Sequence, residues 1–179
     1  MRVVLTGAPG TGKSIILSCL ARKGWVVLPE AFRWRAMALS ISSRHDNVRA
    51  QHLSLYAIQQ FLEDVCIPSS CEVCFDRCTV DLIAYERFYG GSDPRPEIMD
   101  LGRACSRRID AAYFSALDPA QYVTDWLRDE SAPSALGLQK TILTTYEEFG
   151  VPLYELPLAT ETERADYIIR RGHQNHREL

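Results

Sequence analysis

No stretch of this chain is apolar for long enough to cross a membrane as a helix, which takes about 20 consecutive residues; its apolar runs are short and broken by polar side chains. An excess of positive charge is also missing. Lys and Arg total 20 against 23 Asp and Glu, a formal net charge of -3, which argues against a general nucleic-acid or membrane-surface partner. The amino terminus has no charged-then-apolar leader and enters an apolar strand directly, so the expected location is the cytoplasm, with Cys19, Cys66, Cys71, Cys74, Cys78 and Cys105 as reduced thiols. His45 and His52 lack the spacing of a metal pair on one helix turn and receive no role. What remains, at 46% hydrophobic and 24% charged residues over 179 positions, is enough apolar material for one globular domain spanning residues 1–179.

The first fourteen residues organise the rest. Val3, Val4 and Leu5 form a continuous apolar run, as in a strand buried on both faces of a parallel sheet. Gly7, Ala8, Pro9, Gly10, Thr11, Gly12, Lys13 and Ser14 then fill the G-x-x-x-x-G-K-[ST] pattern completely. Gly7, Gly10 and Gly12 let the backbone wrap a phosphate and aim successive N–H groups at it. The helix that follows adds its positive dipole end. Lys13 is placed to neutralise the β/γ-phosphates of ATP and Ser14 to hold Mg²⁺ through its hydroxyl. Strand before and apolar-periodic Ile15, Ile16, Leu17 and Leu20 after supply the context that separates this motif from a chance glycine-rich turn.

Strands and helices alternate from there. A helix from Ile15 to about Lys23 is stopped by Gly24, and a short strand over Trp25 to Leu28 leads to Glu30. A carboxylate just past a strand's C-terminal end lies where parallel sheets bind ligands. Glu30 and Arg33 therefore form a candidate acceptor-binding pair, weighed against a helix-capping carboxylate with a surface ion pair. Residues 40–47 read as loop, and 48–65 as a helix with a broad apolar face, on which Gln59 and Gln60 carry only a weak signal for substrate contact. A third strand, Cys71 to Phe75, ends in Asp76 and Arg77. Asp76 is placed either to hold Mg²⁺ through water or to take the proton of an acceptor hydroxyl, and Arg77 to clamp an acceptor phosphate or carboxylate. The spacing Cys71-x-x-Cys74-x-x-x-Cys78, with Cys66 upstream, raises zinc or an iron–sulfur cluster. Strand alternation works against it, because successive side chains face opposite ways, and core packing of free cysteines suffices.

The run FDRCTVDLIAYERF resembles the F-D-R-G-x-x-D-x-x-A-Y signature of the AAA-like P-loop domain of NadR-type nicotinamide riboside kinases and their relatives. PEAFR resembles that family's P-E-x-x-R, Asp125-x-x-Arg128-x-Glu130 its D-x-x-R-x-E, and VPLYELP with TETERADYI its last strand and final helix. Cys78 departs from the pattern, standing where glycine is usual, which leaves the backbone there less able to approach a ligand. The resemblance implies a three-layer α/β/α P-loop fold with a five-stranded parallel sheet in the order 2-3-1-4-5, and ATP-dependent chemistry on an acceptor it does not name.

Further along, residues 90–96 form a loop, 97–110 a helix whose Arg103, Arg107 and Arg108 are placed to meet phosphates, weighed against the favoured reading of a solvated surface, and 111–117 the fourth strand. Residues 120–133 are expected to close as a lid, with Arg128 meeting the transferring phosphoryl group. Ser134 is expected to cap a helix to Phe149, 151–156 is the fifth strand, Thr160 or Thr162 caps the last helix, Arg164 lies near the adenine, and 170–179 frays. Two functions follow. The first is an ATP- and Mg²⁺-dependent kinase for a small, nucleoside-like acceptor, with Lys13, Glu30, Asp76 and Arg128 catalytic. The second is a nucleotide-binding switch with no acceptor. The absence of an N-K-x-D element excludes a guanine-specific reader, and no separate helical lid domain supports a mechanical oligomeric ATPase. A homodimer is compatible with either function.

Overall fold

The computed structural model describes residues 1–32, 48–64, 71–118 and 131–175. Five strands, β1 (Arg2–Thr6), β2 (Val26–Leu28), β3 (Val73–Asp76), β4 (Ala111–Phe114) and β5 (Leu153–Glu155), pair in parallel in the order β2-β3-β1-β4-β5. The described helices are α1 (Lys13–Arg22), α2 (Val48–Asp64), α3 (Thr79–Gly90), α4 (Pro96–Ser106), α5 (Ala132–Glu148) and α6 (Glu161–Asn175). Parallel neighbours require crossovers that return the chain to the same edge, so every strand ends at one edge and the helices cover the faces. The expected three-layer α/β/α fold and strand order are both observed.

Strand alternation divides the core in two. Val3, Leu5, Cys74 and Tyr113 turn towards Ile16, Leu17 and Leu20 of α1 and Ala165 and Ile168 of α6. Val4, Val73, Phe75 and Ala112 turn the other way, towards Val80 and Ala84 of α3 and Leu138, Ile142 and Tyr146 of α5. Both sets are almost fully buried, so the strands are apolar on consecutive positions, as the first apolar run implied.

Helix ends follow their local signals. After α1, Gly24 sits at φ 92, and Trp25 N–H donates to Leu20 O (3.2 Å) while Gly24 N–H donates to Ala21 O (3.0 Å). This paired arrangement satisfies carbonyls the helix leaves open. Gly150, at φ 65, ends α5 the same way. The N-cap of α5 is Ser131, not the expected Ser134; Ser131 Oγ accepts from Ser134 N–H at 3.3 Å, so Ser134 is the capped residue. Of the two threonines offered as caps for α6, Thr160 forms the reciprocal pair with Glu163. α6 continues through Asn175 instead of fraying from residue 170, with His173 paired to Glu72 at 2.7 Å. β4 stops at Phe114, three residues short of expectation, because Ser115 leaves the sheet to brace the first loop. No described helix is long and apolar enough to cross a membrane.

Candidate functional site

Two chain segments leave adjacent strands at the C-terminal edge of the sheet. The first, residues 7–14, follows β1. Gly7 holds φ 131, and a Cβ there would lie well inside contact distance of the Ser115 carbonyl oxygen, so only glycine fits. Gly12, at φ 77, is the N-cap of α1. Ser115 Oγ donates to Thr11 O (2.8 Å), and Ser115 N–H donates to Thr6 O (2.9 Å), tying the loop to the end of β4. Arg164 reaches the same brace, with Nη1 3.4 Å from Ser115 Oγ and Nε donating to Pro157 O at 3.0 Å. Arg164 thus stands one side chain away from the loop and holds the 157–160 connection. The Lys13 ammonium is buried and donates to Gly7 O (3.0 Å), Ala8 O (2.6 Å) and Thr11 Oγ1 (3.0 Å), so its charge lies inside the loop. Ser14 follows it, exposed, on the first turn of α1.

The second segment, residues 76–79, follows β3. Asp76 is buried and stands in register with Leu5, beside the root of the first loop. Arg77 occupies φ 69, the only non-glycine positive φ among the described residues. A left-handed backbone costs an ordinary residue about 1–2 kcal/mol, so something must impose it. Four hydrogen bonds do. Arg77 N–H donates to Leu5 O (3.2 Å), Arg77 O accepts from Gln59 Nε2 (3.4 Å), Cys78 N–H donates to Asp81 Oδ2 (2.9 Å), and Thr79 N–H donates to Glu63 Oε1 (2.7 Å). Cys78 itself is extended at φ -144, open to any residue, so the cysteine at the family's glycine position is accommodated without a left-handed backbone. Its side chain packs in the core beneath α3.

The Arg77 side chain is 3% exposed and lies between two carboxylates, Nε 3.0 Å from Glu30 Oε1 and Nη1 3.3 Å from Asp81 Oδ1. Its guanidinium also sits 4.9 Å from the centre of the Tyr85 ring. Burial works to lower its pKa, but Tyr85, Glu30, Asp81 and Asp76 together carry it above the ordinary arginine value, so it stays charged. Glu30 is partly exposed and Asp81 fully buried. The guanidinium therefore has one fixed partner and one that solvent reaches.

The structure brings together Gly7 through Ser14, Glu30, Asp76 and Arg77 at one sheet edge. Arg33, the segment 120–130 with Asp125, Arg128 and Glu130, and Cys66 lie outside the described residues. Glutamine 59, a weak candidate for substrate contact, is 1% exposed and donates to Glu63 and to the Arg77 carbonyl; it shapes the segment from behind. Sequence reasoning gave no role to Thr6, Glu63, Asp81 and Tyr146, which complete that support. The Asp in D-R-x-x-x-D was the available signal, at the N3 position of α3, where it returns to the N-cap amide. Among the cysteines, Cys74 faces the α1 layer and Cys78 the α3 layer, so these two do not converge. Glu63, Cys78 and Cys105 do lie together. Their polar atoms are engaged by protein partners, with Cys105 on Glu63, Cys78 on Tyr146 Oη (3.2 Å), and Glu63 on Thr79. Burial pushes both the Glu63 carboxyl and the Cys78 thiol up, towards the protonated forms that disfavour metal ligation. Arg103 pairs with Asp100 at 2.7 Å on the surface, and Arg108 pairs with Asp64, as a solvated face requires.

An exposed serine hydroxyl at the start of α1 and the buried carboxylate at the neighbouring strand end make an all-oxygen donor set, which suits Mg²⁺.

A family model described as AAA domain matches residues 2–164. Among curated proteins no sequence matches. Solved structures with the same fold include YorR protein from Bacillus subtilis in complex with phosphorylated GDP, 13% identical, with 99% of this chain and 98% of that one covered at a TM-score of 0.66. Deoxyadenosine kinase from M. mycoides with products bound is 12% identical over 97% of this chain and 100% of that one, with a TM-score of 0.66. NadR protein in complex with NAD and AMP-PNP is 18% identical over 97% of this chain and 49% of that one, with a TM-score of 0.69. The chain thus spans about half the length of the NadR protein.

Proposed function

The chain belongs to the AAA domain family, and from that premise we propose that it is an ATP-dependent kinase that phosphorylates a small, uncharged, nucleoside-like acceptor. The observation that carries this reading is the meeting of Glu30 and Arg77, 3.0 Å apart, at the ends of the two strands beyond the P-loop strand. A protein that only bound and released a nucleotide needs no acid–base pair there. A phosphoryl transfer enzyme has a use for one, to orient the acceptor hydroxyl and take its proton.

The division of labour follows from charge. The P-loop amides of residues 7–14, the α1 dipole and Lys13 suit a polyphosphate; a bound triphosphate offers the Lys13 ammonium better acceptors than the loop carbonyls it touches. On the acceptor side the described groups are three carboxylates, Glu30, Asp76 and Asp81, around one guanidinium, Arg77. That balance favours a neutral acceptor over one already carrying a phosphate. In the reaction, the acceptor hydroxyl oxygen bonds to the γ-phosphorus, the bond from that phosphorus to the bridging oxygen of ADP breaks, and the hydroxyl proton passes to Glu30, with Asp76 the alternative base. Ser14 and Asp76 would hold Mg²⁺, which would supply charge neutralisation at the phosphates when bound. Arg128 is assigned to the developing phosphoryl charge and Arg33 to the acceptor. Arg164 is assigned to the adenine side, because it holds the loop next to the P-loop brace.

A thermal-shift screen of nucleosides, vitamins and sugars with a non-hydrolysable ATP analogue and Mg²⁺ tests the assignment. An acceptor at 100 times its Kd adds about 2.7 kcal/mol of stability by mass action. Extra stabilisation by a nucleoside, dependent on the ATP analogue, is the expected result. Stabilisation by the analogue alone, with no acceptor adding to it, favours a nucleotide-binding switch.

A further inference from the structure

Asp81 accepts four hydrogen bonds in a site where its charge has no contact with water. It is 0% exposed. Oδ2 takes Cys78 N–H (2.9 Å) and Tyr146 Oη–H (2.6 Å), while Oδ1 takes the Thr6 hydroxyl and Arg77 Nη1 (3.3 Å). Capping α3 requires only the bond from Cys78 N–H. The second oxygen is turned away from that cap, towards the last residue of β1, where the P-loop begins, and towards the guanidinium at the acceptor side.

We propose that Asp81 is the positioning residue of the site: it anchors the Arg77 guanidinium to the root of the P-loop, so that Glu30 can exchange Arg77 for the acceptor without the guanidinium moving. The proposal rests on the kinase reading for its catalytic consequence and on geometry alone for the anchor. Of the two carboxylates on Arg77, Asp81 is the one sealed from solvent, and Tyr146 of α5 holds it from behind. A buried anion with four donors cannot be displaced by a passing ligand, because its charge would be left uncompensated. Glu30, 15% exposed, is within reach of solvent and ligand. A substrate hydroxyl that takes Glu30 from Arg77 thus leaves the guanidinium in register.

Asp81→Asn and Tyr146→Phe separate anchoring from folding. In D81N the single carbonyl oxygen is required by the Cys78 amide and the Tyr146 hydroxyl. The new amide then faces Thr6, whose hydroxyl rotates to accept, and Arg77, which has only donors to offer. The cap survives and the anchor is lost. In Y146F one donor to Oδ2 disappears and both contacts of Oδ1 remain. Both variants lose stability, but only D81N should release Arg77.

The first readout is hydrogen exchange of the Arg77 Nη1 protons, the ones that meet Asp81, by NMR, assigned with R77K, which needs no turnover. The expected result is exchange about tenfold faster in D81N and unchanged in Y146F. The second is steady-state kinetics, with acceptor KM up about tenfold in D81N, ATP KM within about twofold, and both near wild type in Y146F. Equal exchange in D81N and wild type overturns the anchor. Faster exchange with an unchanged acceptor KM overturns its role in positioning. Faster exchange in D81N with no acceptor turnover by the wild type keeps the anchor and overturns the kinase reading.

Discussion

The loop after β1 and the segment after β3 emerge from adjacent strands and hold their shapes by opposite means. Residues 7–14 take positive φ at Gly7, Gly10 and Gly12, where it costs little, and their conformation is written into the loop's own composition. Residues 76–79 contain no glycine, and positive φ falls on Arg77. That conformation is imposed from outside, by Leu5 of β1, Gln59 and Glu63 of α2, and Asp81 of α3. On the proposed kinase reading the difference follows what each would hold. A polyphosphate would be gripped by backbone amides, which a generic loop supplies. An acceptor would be gripped by side chains aimed from a rigid base, here built from buried groups that only this tertiary arrangement supplies.

The comparison is most sharply broken at the imposed segment. Asp81→Ala leaves the Arg77 guanidinium, the Cys78 amide and the Tyr146 hydroxyl without their buried acceptor, and should cost about 3–5 kcal/mol in urea unfolding. A loss near zero would mean that the segment holds itself. In the generic loop the largest effect should fall on binding. Lys13→Ala removes the buried ammonium and should weaken ATP by at least about 100-fold, near 3 kcal/mol by calorimetry, while leaving the fold intact. Gly7→Ala tests whether that loop depends on glycine; positive φ and contact with the Ser115 carbonyl together predict a loss of about 2–3 kcal/mol.

The smallest effect is a pH dependence. Burial raises the Glu63 carboxyl pKa above its ordinary 4.5, opposed by hydrogen bonds from Cys105, Thr79 and Gln59. Because the folded value lies above the unfolded one, the protonated carboxyl favours the fold. This contribution is complete below the ordinary value and is lost as pH rises through the raised one. Glu63→Gln, which cannot ionise, should therefore gain stability relative to the wild type as pH increases from 4 towards neutrality. Parallel stability profiles for the two proteins would contradict a buried, elevated carboxyl.

The same difference governs what could be read from the sequence. The P-loop and the strands were legible because the glycine spacing is local and the apolar runs report strands buried on both faces; the strand order came from the family resemblance of FDRCTVDLIAYERF and its companion motifs. Glu30, Asp76 and Arg77 were legible as residues at strand ends. Their arrangement was not: the salt bridge between Glu30 and Arg77 spans 47 positions, and Arg77, expected to clamp an acceptor phosphate or carboxylate, also pairs inward to Asp81. Gln59 and Glu63 look like ordinary polar residues of an amphipathic helix, and nothing local says that both turn inward. Strand β4 was overextended because Ala116 and Leu117 continue its apolar character past Ser115, which leaves the sheet to brace the P-loop. The cap of α5 was misplaced by three residues because Ser131 and Ser134 both precede apolar periodicity, and the proline between them suits the first turn.

The most direct test of the paired-site account is transfer of the γ-phosphoryl group of labelled ATP, with Mg²⁺, to a panel of nucleosides and nucleoside monophosphates, using Lys13→Ala as the blank. A labelled nucleoside monophosphate, formed by the wild type and absent from the blank, is the predicted result. Release of inorganic phosphate at one rate whether or not any acceptor is present would contradict it.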